Sequence, residues 1–201
     1  LNDFDGFPVL GYYGAIAEWL DFELIECLAS EFPNAKIILV GPVRDSASRQ
    51  ISRIIEKYAN VLLLPPRNQL ELVPLLKRFD VCMIPFLKND ITDAVSPVKL
   101  FEYFSTGKSV VTTDLAECAK YSPIYIGKTT DEIVKLVHQA LADSKFSPEK
   151  DTRIYAVNNT WKHRVRQINS RLNLKRELVT NPLLDAVQKE IASGISCENS
   201  D

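Results

Sequence analysis

The stretch Ser96–Val111, SPVKLFEYFSTGKSVV, carries a lysine and a glutamate three residues apart at the start of an expected helix. Ser96 has the hydroxyl of a helix N-cap, and Pro97 suits a first helical position, where its missing N–H would be unpaired anyway. Val98, Phe101 and Phe104 recur at helical spacing and define one apolar face. Gly107 is placed to stop the helix in a left-handed conformation, and Ser109–Thr113 follows as a β-branched strand. Lys99 and Glu102 therefore share a side of the helix near its N-terminus. A lysine there opposes the positive end of the helix dipole. A bound anion would remove the conflict. The residues leave two readings open: an anion site flanked by a carboxylate, or a surface ion pair contributing about 0.2–0.5 kcal/mol.

Such a pair needs a scaffold, and 201 residues suffice for one domain with a real core. A net charge of −2 gives no global drive towards nucleic acid, so none is expected as a partner. No apolar run is long enough to span a bilayer, and Leu1–Asp5 is not the start of a signal peptide. The chain lacks an initial Met and opens just before a strand, which reads as a piece of a longer protein. Cys27, Cys82, Cys118 and Cys197 are far apart, with no CxxC. Reduced structural thiols in a cytoplasmic protein are expected, not a zinc site or disulfides. His138 and His163 fall on separate helices, which argues against a metal or catalytic pair.

Strands are expected at Pro8–Tyr13, Lys36–Val40, Val61–Leu64, Val81–Pro85, Ser109–Thr113 and, more weakly, Ile124–Ile126. Helices are expected at Phe22–Phe32 with Asp21 as its cap, Ser48–Tyr58, Leu70–Arg78, from Ser96 to Gly107, and Thr130–Leu141. A polar loop, Lys88–Val95, precedes the Ser96 helix. This alternation argues an α/β chain with a doubly wound, Rossmann-like parallel sheet of six strands and extra helices at the C-terminus. Ligands of such sheets bind beyond the carboxyl ends of the strands. Gly11–Gly14, Gly41–Arg44, Pro65–Asn68, Phe86–Val95 and the start of the Ser96 helix would line that edge. Neither GxGxxG nor GxxxxGK[ST] occurs.

The stretch Thr160–Arg176 sets Trp161, Val165, Ile168 and Leu172 at helical spacing among Lys162, Arg164, Arg166, Arg171, Lys175 and Arg176. Its apolar stripe is expected to pack on protein, with an anionic membrane surface as the other reading. A short helix at Leu183–Ala192 and a polar tail, Ser193–Asp201, complete the chain. The expected organisation is a domain over 1–175 and a short helix with a frayed tail over 176–201.

Taken together, these segments resemble the C-terminal, nucleotide-sugar-binding half of a GT-B-fold glycosyltransferase of the glycosyltransferase family 4 type. The resemblance rests on VLGYYGAIAEWLDFELI, IILVGPV, RFDVCMIPF, SPVKLFEYFSTGKSVV and NNTWKHRV, in the family's order over roughly Val9–Val165. It implies that Glu102 accepts hydrogen bonds from the donor's ribose hydroxyls. It implies that Gly14, Lys99 and Ser96 hold the diphosphate. The loop at Arg67 and Asn68 matches the place where the base is held. Family members commonly place a first glutamate eight residues before the second. Here Ala94 stands at that position, with Asp93 beside it as the candidate sugar contact. The family's usual Arg…Lys pair after the first strand is replaced by GAIAEW.

The resemblance implies the donor-binding half of an enzyme that moves a sugar from a UDP- or GDP-sugar to a glycan hydroxyl in cell-surface polysaccharide synthesis. No cofactor and no metal are implied. The implied partners are the donor, an N-terminal GT-B domain absent from this chain, and a glycan or lipid-linked acceptor. The implied location is the cytoplasm or the inner face of the cell membrane. Two other readings are a non-catalytic nucleotide-sugar-binding module and half of a nucleotide-sugar epimerase. Epimerisation would need carboxylates or histidine grouped against the sugar, and no such cluster is visible in the sequence.

Overall fold

The computed structural model describes residues 6–146 and 152–171. Six strands are observed: β1 (Val9–Tyr13), β2 (Lys36–Val40), β3 (Val61–Leu64), β4 (Val81–Ile84), β5 (Ser109–Thr113) and β6 (Tyr125–Gly127). They form one sheet in the order β3-β2-β1-β4-β5-β6, with every pair parallel. This is the doubly wound Rossmann order, so the expected fold class is borne out. The order reverses between β1 and β4, and the crevice at their carboxyl ends is the site the topology provides.

The interior strands are continuous apolar runs because both faces of a parallel sheet are covered. Leu10, Ile38, Leu39, Val81, Ile84 and Val111 are fully buried. The helices are α1 (Phe22–Glu31), α2 (Asp45–Lys57), α3 (Gln69–Lys77), α4 (Asp90–Asp93), α5 (Val98–Thr106), α6 (Thr130–Phe146), α7 (Arg153–Asn158) and α8 (Trp161–Arg171). Helix α1 packs with α2 and α6, while α5 packs with α3 and α7. Right-handed crossovers require this division into two layers. Asp21 caps α1 as expected, its carboxylate accepting from the Leu24 N–H at 2.9 Å. The other end of α1 is tied down by Asn60, whose amide donates to the carbonyls of Ala29, Phe32 and Ala35 at 3.0, 3.1 and 3.3 Å.

Helix α2 starts at Asp45, three residues before the expected Ser48, because Ala47 is buried and already belongs to its apolar face. The loop expected at Lys88–Val95 contains the short α4, where Asn89 and Thr92 form a reciprocal cap. The apolar face of α5 also differs. Leu100, Phe101, Tyr103 and Phe104 are buried, whereas Val98 is 45% exposed. The helix begins with Val98, so that residue lies at its open end rather than over the sheet. Gly107 ends α5 at φ 72°, the left-handed stop expected. Cys27, Cys82 and Cys118 are free thiols, and burial pushes the Cys118 thiol up to about 11.

The described residues fall into two units, one ending at Asn159 and the other beginning at Thr160. In the first, α7 is anchored by Tyr155, which stacks on Phe104 and Tyr121 and donates its hydroxyl to the Ser122 carbonyl at 2.8 Å. The second unit contains α8. Trp161, Val165 and Ile168 are 71%, 52% and 55% exposed, so the stripe expected to be buried is not. Three apolar residues set among Lys162, Arg164 and Arg166 make a narrow stripe, and Arg164 lies 5.8 Å from the Trp161 ring. Leu172, the helix at Leu183–Ala192 and the tail lie outside the described residues. Among the described residues no helix is long and apolar enough to cross a membrane.

Candidate donor-binding site at the switch point

Strand β1 ends at the switch point, and its last residues diverge to the two faces of the sheet. Tyr13 faces α5, where its ring meets Tyr103 edge-on at 5.5 Å and its backbone N–H donates to the Tyr103 hydroxyl at 3.0 Å. The Tyr13 hydroxyl is buried and has no hydrogen-bond partner among the described residues. Tyr12 lies on the other face, with its ring edge-on to Phe86 at 6.2 Å. Its hydroxyl donates to the Ala15 carbonyl at 3.0 Å.

Gly14 follows at φ +136°, a conformation that L side chains rarely adopt. Its N–H donates to the Val40 carbonyl at 2.9 Å, which fastens the first loop to the end of β2. Its own carbonyl oxygen lies so close to Gly41 that a Cβ there would stand 2.0 Å away. Gly41 is likewise at positive φ, +146°. Two glycines therefore let adjacent loops of the sheet edge close on each other. A Cβ at Gly14 would also stand 2.8 Å from Lys99 Nζ and 3.0 Å from the Tyr12 hydroxyl.

Lys99 thus reaches the first loop from the start of α5. Its ammonium donates to the Tyr12 hydroxyl at 3.0 Å and lies 4.3 Å from the Tyr12 ring centroid and 4.7 Å from that of Phe86. Among the described residues no carboxylate forms an ion pair with it. The surface-pair reading of Lys99 and Glu102 is therefore set aside. Burial in this aromatic setting pulls Lys99 down to about 7. Burial disfavours the charged form and no acid compensates. A half-buried cation beside glycine backbone, with no anionic partner, is a place where an anion is stabilised.

Glu102 lies one turn further along α5 and is half-buried. Burial raises its carboxyl above the usual range. Its carboxylate has no hydrogen-bond partner among the described residues, so both oxygens can accept. The structure brings Gly14 and Lys99 together, with Glu102 on the same helix. It holds the remaining candidates differently. Ser96 is not the cap of α5. Pro97 occupies that position without a side-chain bond, because α5 begins one residue later than expected, and the Ser96 hydroxyl instead approaches Glu117 at 3.4 Å. Asp93 closes α4, and its Oδ1 accepts from the Ala116 N–H at 3.4 Å. Asn68 caps α3 in a reciprocal box with Glu71, which occupies its side chain and its N–H. Arg67 precedes it in the exposed loop after β3.

Tyr12 and Phe86 were missed by sequence reasoning. The available signal was a tyrosine two residues before Gly14 in an otherwise apolar strand.

No protein-family model matches the sequence. The chain is 30% identical over 118 residues to TuaH of Bacillus subtilis (strain 168), whose name assigns it provisionally to teichuronic acid biosynthesis as a glycosyltransferase. That match covers 59% of this chain and 30% of TuaH. Two solved structures share the fold. Sucrose-phosphate synthase from Thermosynechococcus elongatus superposes with a TM-score of 0.71 at 14% identity, over 84% of this chain and 45% of that one. Anabaena HepE, solved in complex with UDP-glucose, gives a TM-score of 0.64 at 15% identity, over 77% of this chain and 45% of that one. This chain therefore spans less than half the length of each of these relatives. The chain is similar in sequence to a protein named as a glycosyltransferase, and its fold is the Rossmann-like fold shared with part of these longer chains, as the resemblance to a GT-B glycosyltransferase implied.

Proposed function

We propose that this chain is the donor-binding half of a glycosyltransferase that moves a sugar from a nucleoside diphosphate sugar to a glycan hydroxyl in cell-surface polysaccharide synthesis. The observation that carries the reading is the half-buried Lys99 ammonium, set against Gly14 at the switch point with no carboxylate among the described residues to pair it. The UDP-glucose in HepE and the teichuronic acid in the name of TuaH support the substrate class.

In this reading the diphosphate lies against Gly14 and Lys99, and Glu102 accepts both ribose hydroxyls. The base sits over the Arg67–Asn68 loop, and Asp93 is the candidate contact for the sugar. As the bond between the sugar and the diphosphate breaks, negative charge grows on the leaving oxygen. The fixed Lys99 cation stabilises that charge more than the ground state. The acceptor, a glycan or lipid-linked hydroxyl, enters from an N-terminal domain that this chain does not include. The protein works in the cytoplasm or on the inner face of the cell membrane.

Calorimetric titration of UDP, GDP and uridine tests the site. Wild type should bind one diphosphate more tightly than the nucleoside. Glu102→Gln loses charge-assisted bonds worth about 1.5–3 kcal/mol each against under about 1.5 for neutral ones, so affinity should fall about tenfold or more for nucleotide and nucleoside alike. Lys99→Ala should weaken the diphosphate and leave uridine unchanged. A wild type that binds neither diphosphate, or two variants that bind as well as wild type, overturns the reading.

A further inference from the structure

We propose that Tyr12 is a positioning residue, which with Phe86 holds the Lys99 ammonium against the Gly14–Ala15 loop where the donor diphosphate docks. The proposal rests on the function above, since it concerns how that site keeps its cation in place.

The geometry around the Tyr12 hydroxyl is complete. A phenol offers one proton and accepts at its lone pairs. The proton goes to the Ala15 carbonyl at 3.0 Å, which ties the hydroxyl to the first loop. The oxygen accepts from Lys99 Nζ at 3.0 Å. Burial pushes the phenol above its ordinary value, so it stays protonated and serves Lys99 as a neutral acceptor. The two rings at 4.3 and 4.7 Å present their faces to the ammonium. A lysine stem is otherwise free to rotate, and a cation swinging into solvent would be lost to the site. Aromatic faces attract a cation without neutralising it, whereas a carboxylate would compete with the incoming phosphate. The GAIAEW segment brings no further cation to this loop, so the placement of Lys99 matters more.

The groups against Lys99 are Tyr12 from β1 and Phe86 beyond β4, with Glu102 three residues along its own helix. The Glu102 carboxyl forms no ion pair with Lys99 among the described residues. Tyr12→Phe keeps the ring and removes the acceptor. The charged form of Lys99 is then less favoured and its stem less fixed.

The test is calorimetry on this chain with UDP and GDP as probes, uridine and guanosine as controls, and pH stepped from 6.5 to 9. Tyr12→Phe should weaken the bound diphosphate by about tenfold at pH 7.5 and leave the nucleoside unchanged. The loss should shrink at pH 6.5, where Lys99 is charged without help. In a Lys99→Met background the same substitution should have no effect on diphosphate affinity, which a merely structural role would not produce. Phe86→Leu, which keeps the Tyr12 hydroxyl, should act in the same direction and decides the matter if Tyr12→Phe does not fold. Wild type binding no diphosphate defeats the proposed function together with this inference. Wild type binding a diphosphate that Tyr12→Phe or Phe86→Leu binds equally well, with an unchanged pH profile, overturns this inference alone.

Discussion

Diphosphate binding by the wild-type chain should fall steeply as the pH rises above neutrality. The cause is Lys99, which burial pulls down to about 7 in the free protein. A bound diphosphate supplies the missing counter-charge and restores the ammonium, so binding takes up a proton wherever the free lysine is neutral. The competent fraction of free protein is about one half at pH 7, about one eleventh at pH 8 and about one hundredth at pH 9. Apparent affinity should therefore drop about fivefold from pH 7 to 8 and about fiftyfold from pH 7 to 9. At pH 8 about 0.9 protons should be taken up per nucleotide, measurable by calorimetry in buffers of different ionisation enthalpy. Lys99→Arg keeps its charge throughout, since a guanidinium does not titrate in this range, and should abolish the slope even if the fit is poorer. The sign of the stability effect is independent of ligand. Between about 7 and the ordinary lysine value of about 10.4 the unfolded chain holds more protons than the folded one, so Lys99 makes the free protein more stable as pH rises. An affinity that stays flat from pH 7 to 9 in wild type would refute the reasoning, because the cation would then be charged without its ligand.

Gly14→Ala should lower both nucleotide affinity and melting temperature. Its Cβ would meet Lys99 Nζ at 2.8 Å and the Tyr12 hydroxyl at 3.0 Å while φ stays at +136°, so either the loop shifts or the lysine leaves. Unchanged binding would place the diphosphate elsewhere. Asn60→Ala should destabilise the fold by about 1–3 kcal/mol in denaturant unfolding, since the carbonyls of Ala29, Phe32 and Ala35 lose a donor. Nucleotide affinity should not change, because Asn60 precedes β3 and lies at the amino end of the sheet.

The fold was legible because its signals are local. Ile37–Val40 is an uninterrupted apolar run, as a strand covered on both faces must be, and Lys36–Val40 and Val61–Leu64 both appear with the expected bounds. Asp21 announces α1 through its chemistry, and Gly107 ends α5 through its conformation. What was missed has weak local patterning. Helix α4 is one turn long and held by the Asn89–Thr92 cap, too short for periodicity to register. Helix α7 is six residues whose burial partners, Phe104 and Tyr121, lie far away in the sequence.

The site divides along the same line. Lys99 and Gly14 could be picked out separately, the first by a charge opposed to a helix dipole and the second by its place after a strand. Their contact spans 85 positions and exists only because β1 and β4 are neighbours where the strand order reverses. Sequence spacing suggested Glu102 as the partner of Lys99, three residues along one helix. The folded chain gives the lysine to Tyr12 instead, 87 positions away, and leaves the Glu102 carboxylate without a hydrogen bond among the described residues. That exchange turns an ordinary surface pair into two separate half-buried groups of opposite charge on one helix, each available to a ligand. A nucleoside diphosphate has the matching chemistry: hydroxyl donors on its ribose for the carboxylate, and phosphate oxygens for the cation.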